Sequence, residues 1–293
     1  NLYLGGTGKT PFTIWLVGQL RAAGFHPGVI SRGYGAQAEN LADGMLVNAQ
    51  SSAAEVGDEP LLIARRTGCP LVVGRRRRQV AQRLLDTYPE VDVIISDDGL
   101  QHYALPRQIE IVLFDGRGVG NGWLLPAGPL REPASRAHDF TVINGASQAL
   151  GVAQPSFQMQ LQVLGAYQLC QPSHRLALLQ VAALPSQAAS TTILAAAGIG
   201  HPERFFASLS AAWASLDIAF ERMALPDHFD FANNPFQDCK HELILITEKD
   251  AVKCAAYASL RDDPRIWVVP VEAQLDPMLV QQIVEKCRGC SLA

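Results

Sequence analysis

The sequence predicts an α/β fold with two domains, and three observations lead to this prediction. Short apolar runs alternate with helical stretches along the chain, which is typical of a parallel sheet covered by helices. A glycine-rich segment, GGTGKT at residues 5–10, comes just before the first predicted helix, as in P-loop proteins. The periodicity is lost near residues 145–175 and then resumes. We therefore predict a P-loop NTPase-type parallel-sheet domain over 1–155 and a second, smaller α/β domain over 156–275, joined by a β linker.

The elements of the first domain follow from the positions of its apolar runs. Pro11–Ala23 and Glu59–Thr67 are the clearest helix candidates. The predicted strands are Val29-Ile30, Leu71–Val73, Val91–Ile95 and Ile109–Phe114. Most polar motifs of this half come directly after one of these strands. Because ligands of parallel sheets bind beyond the carboxyl ends of the strands, we expect a functional site there.

The second half repeats the alternation in another unit. The segments TTILAAAGIGHPERFFASL, from Thr191, and HELILITEKDAVKC, over 241–254, each predict a strand followed by a helix. FQMQLQVLGAYQL predicts a strand or a hairpin in the linker, and RIWVVPVE predicts the last strand. A C-terminal helix is expected within 276–293, and it can pack on either domain.

Composition and charge exclude several classes of protein. With 48% hydrophobic and 18% charged residues, the chain can bury a core and is not disordered. The net charge of −4 gives no general attraction to nucleic acid, and no apolar run of about 18 residues predicts a membrane span. The six cysteines are scattered, as suits a reducing compartment. Cys287 and Cys290 lack the second Cys/His pair of a zinc site, and no obligate protein partner is indicated.

The glycine-rich loop predicts a site for nucleotide phosphates. A Walker A loop reads G-x-x-x-x-G-K-[ST], and this chain fits its end but has Tyr3 at the first glycine position. Backbone N–H groups can still form a phosphate nest at the positive end of a helix. The predicted nucleotide-binding residues are Gly5, Gly6, Thr7, Gly8, Lys9 and Thr10. Lys9 would reach the β- and γ-phosphates, whereas the alternative, a turn without a ligand, does not explain so particular a sequence.

The chain begins close to this loop. Only Leu2–Leu4 represent the strand that normally precedes it. We therefore expect the sequence to be truncated at its N-terminus.

Acidic residues mark two further positions. Asp97 and Asp98 follow the predicted strand VDVIIS, where P-loop proteins carry an acid near Mg²⁺ and the γ-phosphate; a solvated turn is the alternative. Since adjacent side chains after a strand point to opposite sides, one acid can face a metal while the other binds a neighbouring loop. Asp58, in GDEP at 57–60, is either a helix N-cap or a base for an attacking hydroxyl.

Basic residues also follow predicted strands. The four arginines Arg75–Arg78 are either a solvated helix face or include one or two phosphate contacts. Arg32 and Tyr34 could grip an anionic sugar. Arg131 and Glu132 belong to the loop PAGPLREP, whose rigidity and polarity are typical of a site loop, although turn chemistry alone could explain its prolines.

His228 lies in the second domain, next to Asp227. A lone histidine is more often structural than catalytic, and the neighbouring carboxylate could fix its tautomer. A catalytic role would require the second domain to close over the site of the first.

In their order and spacing, eight segments resemble the tetraacyldisaccharide 4′-kinases, the lipid A 4′-kinase family of Gram-negative bacteria. They are GGTGKTP (5–11), SRGYG (31–35), EVGDEP (55–60), SDDGLQHY (96–103), GNGWLLPAGPLREP (120–133), AGIGHPERFF (197–206), PDHF (226–229) and TEKDAVKC (247–254). The resemblance covers most of the chain.

This resemblance implies an activity and a location. The family transfers the γ-phosphate of ATP, with Mg²⁺, to the 4′-hydroxyl of tetraacyldisaccharide 1-phosphate, a lipid A precursor. It works as a peripheral protein on the cytoplasmic face of the bacterial inner membrane. An N-terminal hydrophobic helix helps to seat it there, and we expect this helix to be missing from the sequence.

The resemblance also implies roles for individual residues. Lys9 would act on the phosphates, and Asp58 would be the catalytic base, assisted by His228 of the other domain. The implied metal and nucleotide residues are Thr10, Asp97, Asp98 and Glu132. The implied contacts to substrate or phosphate are Arg32, Tyr34, Arg77 and Arg131.

Other functions remain as rivals to this interpretation. A P-loop ATPase switch usually carries a lysine before the glycine pair, where this chain has Leu4. A GTPase is disfavoured, since TEKD at 247–250 has the wrong spacing for a guanine-binding motif. A kinase or ligase for a soluble substrate would differ in needing no micelle or membrane. The presence of Lys9, Thr10, Asp58 and Asp97 argues against a non-catalytic relative.

Overall fold

The architecture comes from a computed structural model. The structure describes residues 2–3, 6–34, 44–145, 155–184, 193–216 and 218–289. Within these residues the chain forms two lobes, each built around α/β layers.

The first lobe begins with a sheet and the helices that cover it. Its elements are α1 (Lys9–Ala22), β1 (Pro27–Ser31), β2 (Met45–Leu46), α2 (Ala53–Val56), α3 (Asp58–Thr67), β3 (Leu71–Val73), α4 (Arg77–Thr87) and β4 (Val93–Ser96). The strand order is β2-β3-β1-β4. β1 runs parallel to both β3 and β4, whereas β2 is antiparallel to β3.

A second sheet completes the first lobe. Its strands are β5 (Ile111–Asp115), β6 (Phe140–Asn144), β7 (Ser156–Gln162) and β14 (Glu272–Leu275), in the order β14-β7-β6-β5. β5, β6 and β7 are parallel, and β14 pairs antiparallel with β7. Helix α1 packs between the two sheets, where Phe12, Leu16 and Leu20 meet Phe140 and Met159.

The second lobe holds a six-stranded sheet. Its elements are β8 (Gly165–Gln168), β9 (Arg175–Ala177), α5 (Leu178–Ala182), β10 (Ile193–Ala197), α6 (Pro202–Ala212), β11 (Glu221–Ala224), β12 (Leu243–Thr247), α7 (Glu248–Cys254), α8 (Ala258–Arg261) and β13 (Ile266–Val269). The strand order is β11-β10-β12-β13-β8-β9. The first four strands in this order are parallel, and β8 and β9 are antiparallel.

The α/β class and the parallel strand cores are confirmed. The sheets are mixed rather than purely parallel, because β2, β14, β8 and β9 add antiparallel strands at their edges. The linker segment gives β7 and β8, which do not pair as a hairpin but enter different sheets. The alternating Phe157 and Met159 of β7 join the core around α1, whereas Ala166 of β8 joins the core of the second lobe.

The pairing of the strands bears on the predicted domain boundary. The division after residue 155 stays a prediction, and β7 and β14, which lie beyond it, pair within the second sheet of the first lobe. The two strands pair there because their apolar faces are buried against α1 and the helix α9 (Pro277–Gly289). Leu279 and Ile283 of α9 are almost fully buried in that core.

Candidate functional site

The glycine-rich loop leads into α1 at the edge of the first lobe. Gly8, the N-cap of α1, has φ 91°, a conformation that glycine adopts without strain. Lys9 is the first residue of the helix, and Thr10 follows in its first turn. The amide of Asn144 donates to the carbonyl of Thr7 at 3.2 Å, which anchors the loop to the end of β6.

The N–H groups of the first turn of α1 face the loop without a side-chain cap. A helix N-terminus in this state attracts anions, so the arrangement suits phosphate. Gly6 also has positive φ, 64°. Gly5, the remaining predicted residue of the loop, lies outside the described residues.

Asp97 and Asp98 follow β4, and their side chains have different surroundings. Asp98 adopts φ 48°, and its carboxylate lies 3.5 Å from Lys9 Nζ and 3.0 Å from Arg131 Nη1. Burial alone would raise the pKa of Asp98, but these two cations hold it well below the ordinary value. Asp97 is buried and accepts from Ser31 Oγ at 3.1 Å. Burial is the main cause that raises the pKa of Asp97 to about 6.

The loop that contains Arg131 and Glu132 closes one side of this acidic turn. Arg131 Nη1 also donates to Gln101 Oε1 at 3.1 Å, and Gln101 Nε2 donates to Glu132 Oε1 at 2.8 Å. The second oxygen of Glu132 pairs with Arg136 at 2.6 Å. Glu132 is therefore connected to Asp98 through Gln101 and Arg131.

The structure brings Asp58 and His228 together across the two lobes. Asp58 is the first residue of α3, with Gly57 as the N-cap, and only 5% of its surface is exposed. Its Oδ2 lies 3.1 Å from Nδ1 of His228, and its Oδ1 accepts the N–H of Glu59. His228 has φ 60°, and its backbone N–H donates to Asp227 Oδ1.

A second group of contacts joins the lobes at the glycine-rich loop. Arg204 of α6 donates to the carbonyl of Gly6 at 2.9 Å and to Asp115 Oδ2, at the end of β5, at 2.8 Å. The ring of His201 lies so close to Gly6 that a Cβ there would approach its Cδ2 to 2.6 Å. The second lobe therefore covers the loop.

The predicted basic residues take different positions. Arg77 is buried, and its guanidinium donates to the carbonyls of Asp97 and Gly74, so it holds the acidic turn from behind. Burial lowers the pKa of Arg77 to about 10. Arg32 is exposed, and the exposed ring of Tyr34 lies 5.6 Å from the ring of His228.

An open cavity adjoins the acidic turn. Its volume is about 530 Å³. The residues around it are Arg75–Gln79 and Gln101–Leu105. The run of arginines gives this cavity a positive lining, next to Gln101 of the network described above.

The residues predicted to hold a metal are Thr10, Asp98, Asp97 and Glu132. Among the described residues, no group of three or more His, Cys, Asp and Glu side chains is arranged to bind a metal ion. Mg²⁺ at phosphoryl-transfer sites is held by one or two carboxylates together with the phosphates themselves. Asp98, which is ionised and lies beside Lys9, fits that simpler requirement. Thr10 directly follows Lys9 in the first turn of α1.

Several residues of this region were not singled out from the sequence. Arg204, Asp115 and Lys249 each contact another element of the site. Arg204 and Lys249 lie in the family-matching segments AGIGHPERFF and TEKDAVKC, and Asp115 directly follows the predicted strand IEIVLF. In the part of the chain that the structure describes, no helix is long and apolar enough to cross a membrane.

Comparisons with known proteins identify the family of this chain. A sequence model of the tetraacyldisaccharide-1-P 4′-kinase family matches residues 1–288. A tetraacyldisaccharide 4′-kinase of Janthinobacterium sp. (strain Marseille) is 59% identical over 293 residues, which are 100% of this chain and 82% of the relative. The enzyme of the same name from Herminiimonas arsenicoxydans is 58% identical over 299 residues, with the same coverage.

The solved structures include a similar protein. A crystal structure of LpxK from Aquifex aeolicus in complex with ATP matches with a TM-score of 0.75 at 25% sequence identity, and the match covers 98% of this chain and 86% of that one. The whole-length family match and the high identities lead to one conclusion: this chain belongs to the tetraacyldisaccharide 4′-kinase family.

Proposed function

We propose that this chain catalyses its family's reaction with Asp58 as the general base and the glycine-rich loop as the phosphate site. The protein is a phosphotransferase that moves the γ-phosphate of ATP to the 4′-hydroxyl of tetraacyldisaccharide 1-phosphate. The observation that carries the assignment of Asp58 is its 3.1 Å contact with His228 from the other lobe. The alternative of Asp58 as a helix N-cap does not hold, because Gly57 occupies that position and α3 has no side-chain cap.

The phosphates of ATP are bound by the loop and by the start of α1. Backbone N–H groups at Thr7 and Gly8 and the charge of Lys9 face the β- and γ-phosphoryl oxygens, where negative charge increases in the transition state. Thr10 and Asp98, together with Asp97 and Glu132, would hold Mg²⁺, which would neutralise part of the phosphate charge.

Asp58 receives the proton of the attacking hydroxyl. As the 4′-oxygen bonds to the γ-phosphorus, its proton passes to the Asp58 carboxylate, and ADP leaves with the electrons of the broken P–O bond. His228 orients the carboxylate through Oδ2. General-base assistance of this kind typically contributes about 10²–10⁴-fold.

The acceptor lipid is bound beside these groups. Arg32 and Tyr34 lie at the exposed edge next to His228, and Arg131 lies at the acidic turn. The cavity lined by Arg75–Arg78 offers a positive environment for a sugar phosphate, and Arg77 fixes its floor. The protein acts as a peripheral enzyme at the cytoplasmic face of the inner membrane, where its lipid substrate is found.

Phosphate transfer from γ-labelled ATP to tetraacyldisaccharide 1-phosphate in detergent micelles tests this proposal. We expect Asp58→Ala to lower turnover by about 10²–10⁴-fold while ATP binding, measured by calorimetry, is largely kept. Asp139→Ala is the matched control, because it removes a part-buried aspartate elsewhere, which pairs with Lys286 of α9. Normal turnover in Asp58→Ala would show that Asp58 is not the base.

The same assay separates the lipid kinase from a kinase for a soluble sugar. The lipid kinase requires the micellar acceptor, and its activity is lost when a deacylated disaccharide 1-phosphate replaces it. Equal activity on the soluble acceptor would contradict the proposal.

A further inference from the structure

The ammonium group of Lys249 lies among three carboxylates of residues 58, 59 and 227. Its Nζ is 3.2 Å from Glu59 Oε1, 3.8 Å from Asp58 Oδ2 and 3.8 Å from Asp227 Oδ1. The Lys249 side chain is 18% exposed and that of Asp58 is 6% exposed. Ion pairs that are mostly shielded from water interact more strongly than surface pairs.

The same oxygen of Asp58 is approached by two side chains of the second lobe. Oδ2 faces His228 Nδ1 at 3.1 Å and Lys249 Nζ at 3.8 Å, while Oδ1 accepts the backbone N–H of Glu59. The carboxylate is therefore held at both oxygens. Asp227, which also contacts Lys249, directly precedes His228 in the chain, so Lys249 touches both Asp58 and the turn that carries His228.

The docking of α7 on α3 sets the position of Lys249. Thr247 caps α7 by accepting the N–H of Asp250, and Glu248 pairs with Arg66 of α3 at 2.7 Å. Lys249 follows Glu248 and contacts the first turn of α3. Glu248 therefore docks α7 on α3, whereas Lys249 contacts Asp58. Because the two contacts use different side chains, they can be tested separately.

Among the described residues, the charged groups in contact with Asp58 and Lys249 come from α3, α7 and the turn after β11. Glu59 lies on α3, Asp227 and His228 follow β11, and Lys249 lies on α7. Burial lowers the pKa of Lys249, but the carboxylates of Glu59, Asp58 and Asp227 outweigh it and raise the pKa above its usual value. Lys249 is thus a cation throughout the neutral range.

We propose that Lys249 is a positioning residue for phosphoryl transfer, which offsets the negative charges of Glu59 and Asp227 beside the Asp58 carboxylate and keeps this carboxylate aligned with His228. This inference rests on the proposed function of Asp58 as the base. Without the ammonium, the buried Asp58 would face the part-buried Glu59 and the exposed Asp227 with no cation between them. Burial and like charges both favour the neutral form of a carboxyl group. A neutral carboxyl cannot accept the proton of the 4′-hydroxyl.

The pH dependence of kcat in the micellar kinase assay tests the proposal. For Lys249→Met we expect kcat at neutral pH to fall about 10- to 100-fold and the acid limb of the profile to move up by about one pH unit. Lys249→Arg restores the cation and should recover most of the activity and the original limb. The KM for ATP should change little, since the three ion-pair partners of Lys249 named above lie outside the glycine-rich loop.

Two control variants distinguish the loss of the Lys249 charge from weaker docking of α7 on α3 and from the loss of any surface ion pair. Arg66→Met removes the other α3–α7 ion pair, and Lys286→Met removes a remote one; both should keep the acid limb of the wild type. An equal shift in Arg66→Met would overturn the proposal, because docking alone would then explain the effect.

Glu59→Gln and Asp58→Asn test the role of Lys249 if Lys249→Met fails to fold. Glu59→Gln removes a like charge next to Asp58 and should move the acid limb to lower pH; an unmoved limb would contradict the proposal. Asp58→Asn is run in the same series. If Asp58→Asn stays active, the proposed base is wrong; if it is inactive while Lys249→Met keeps the wild-type profile, only the role of Lys249 is wrong.

Discussion

The buried carboxylate of Asp97 links the stability of the protein to pH. Its pKa is raised to about 6, chiefly by burial, whereas in the unfolded chain it lies near the ordinary value of about 4. The Asp97 carboxyl therefore stays protonated up to a higher pH in the folded state than in the unfolded state. The stabilisation from this proton is fully present below about pH 4 and is lost as the pH rises through about 6.

We expect the free energy of unfolding of the wild type, relative to Asp97→Asn, to fall by about 3 kcal/mol between about pH 4 and pH 7. Urea denaturation at several pH values, without nucleotide and divalent metal, measures this difference. Asp238→Asn is the control, since Asp238 is exposed. A difference that does not vary with pH would show that Asp97 does not titrate in this range.

At the scale of the element, helix α1 and its N-cap contain two glycines that should respond to alanine in opposite ways. Gly8 has φ 91°, and a Cβ there would lie 2.7 Å from Asn144 Nδ2 and 2.8 Å from Met159 Cε. Gly18 lies inside the helix, where a Cβ would have open space around it, with none of the described neighbours within 4 Å. The first position needs glycine and the second only tolerates it.

We therefore expect Gly8→Ala to destabilise the protein by about 1–3 kcal/mol and to weaken ATP binding, because the loop must shift. Gly18→Ala should stabilise it by about 0.5–1 kcal/mol and leave ATP binding unchanged. Thermal unfolding and calorimetry measure both. Equal behaviour of the two variants would mean that the loop conformation is not set at Gly8.

The sequence predicted single helices, strands and loops better than it predicted contacts between them. The glycine-rich loop and the acids Asp97 and Asp98 could be predicted because each is a local pattern next to a strand or helix. The contact of Asp58 with His228 spans 170 positions of sequence, and that of Lys249 with Glu59 spans 190. Such contacts depend on how the lobes pack, which no local pattern encodes, so Asp58 was separable from an N-cap only through the family resemblance.

At the scale of the whole molecule, Arg204 joins the second lobe to the glycine-rich loop. It joins the carbonyl of Gly6 to the buried carboxylate of Asp115. We expect Arg204→Ala to raise the KM for ATP about tenfold, since a charge-assisted hydrogen bond contributes about 1.5–3 kcal/mol. Arg222→Ala, which removes an exposed pair with Glu203, is the matched control. Initial-rate kinetics would contradict the prediction if both variants kept the wild-type KM.

The pairing of β14 with β7 has a consequence for the order in which the protein is made. Gln162, the last residue of β7, pairs with Glu272, the first of β14, so the second lobe is an insertion between two adjacent strands. The ribosome thus delivers β14 and α9, which cover Leu16 and Leu20 of α1, only after the second lobe has been synthesised. Whereas domains generally fold in order from the N-terminus, the first lobe of this protein is completed last.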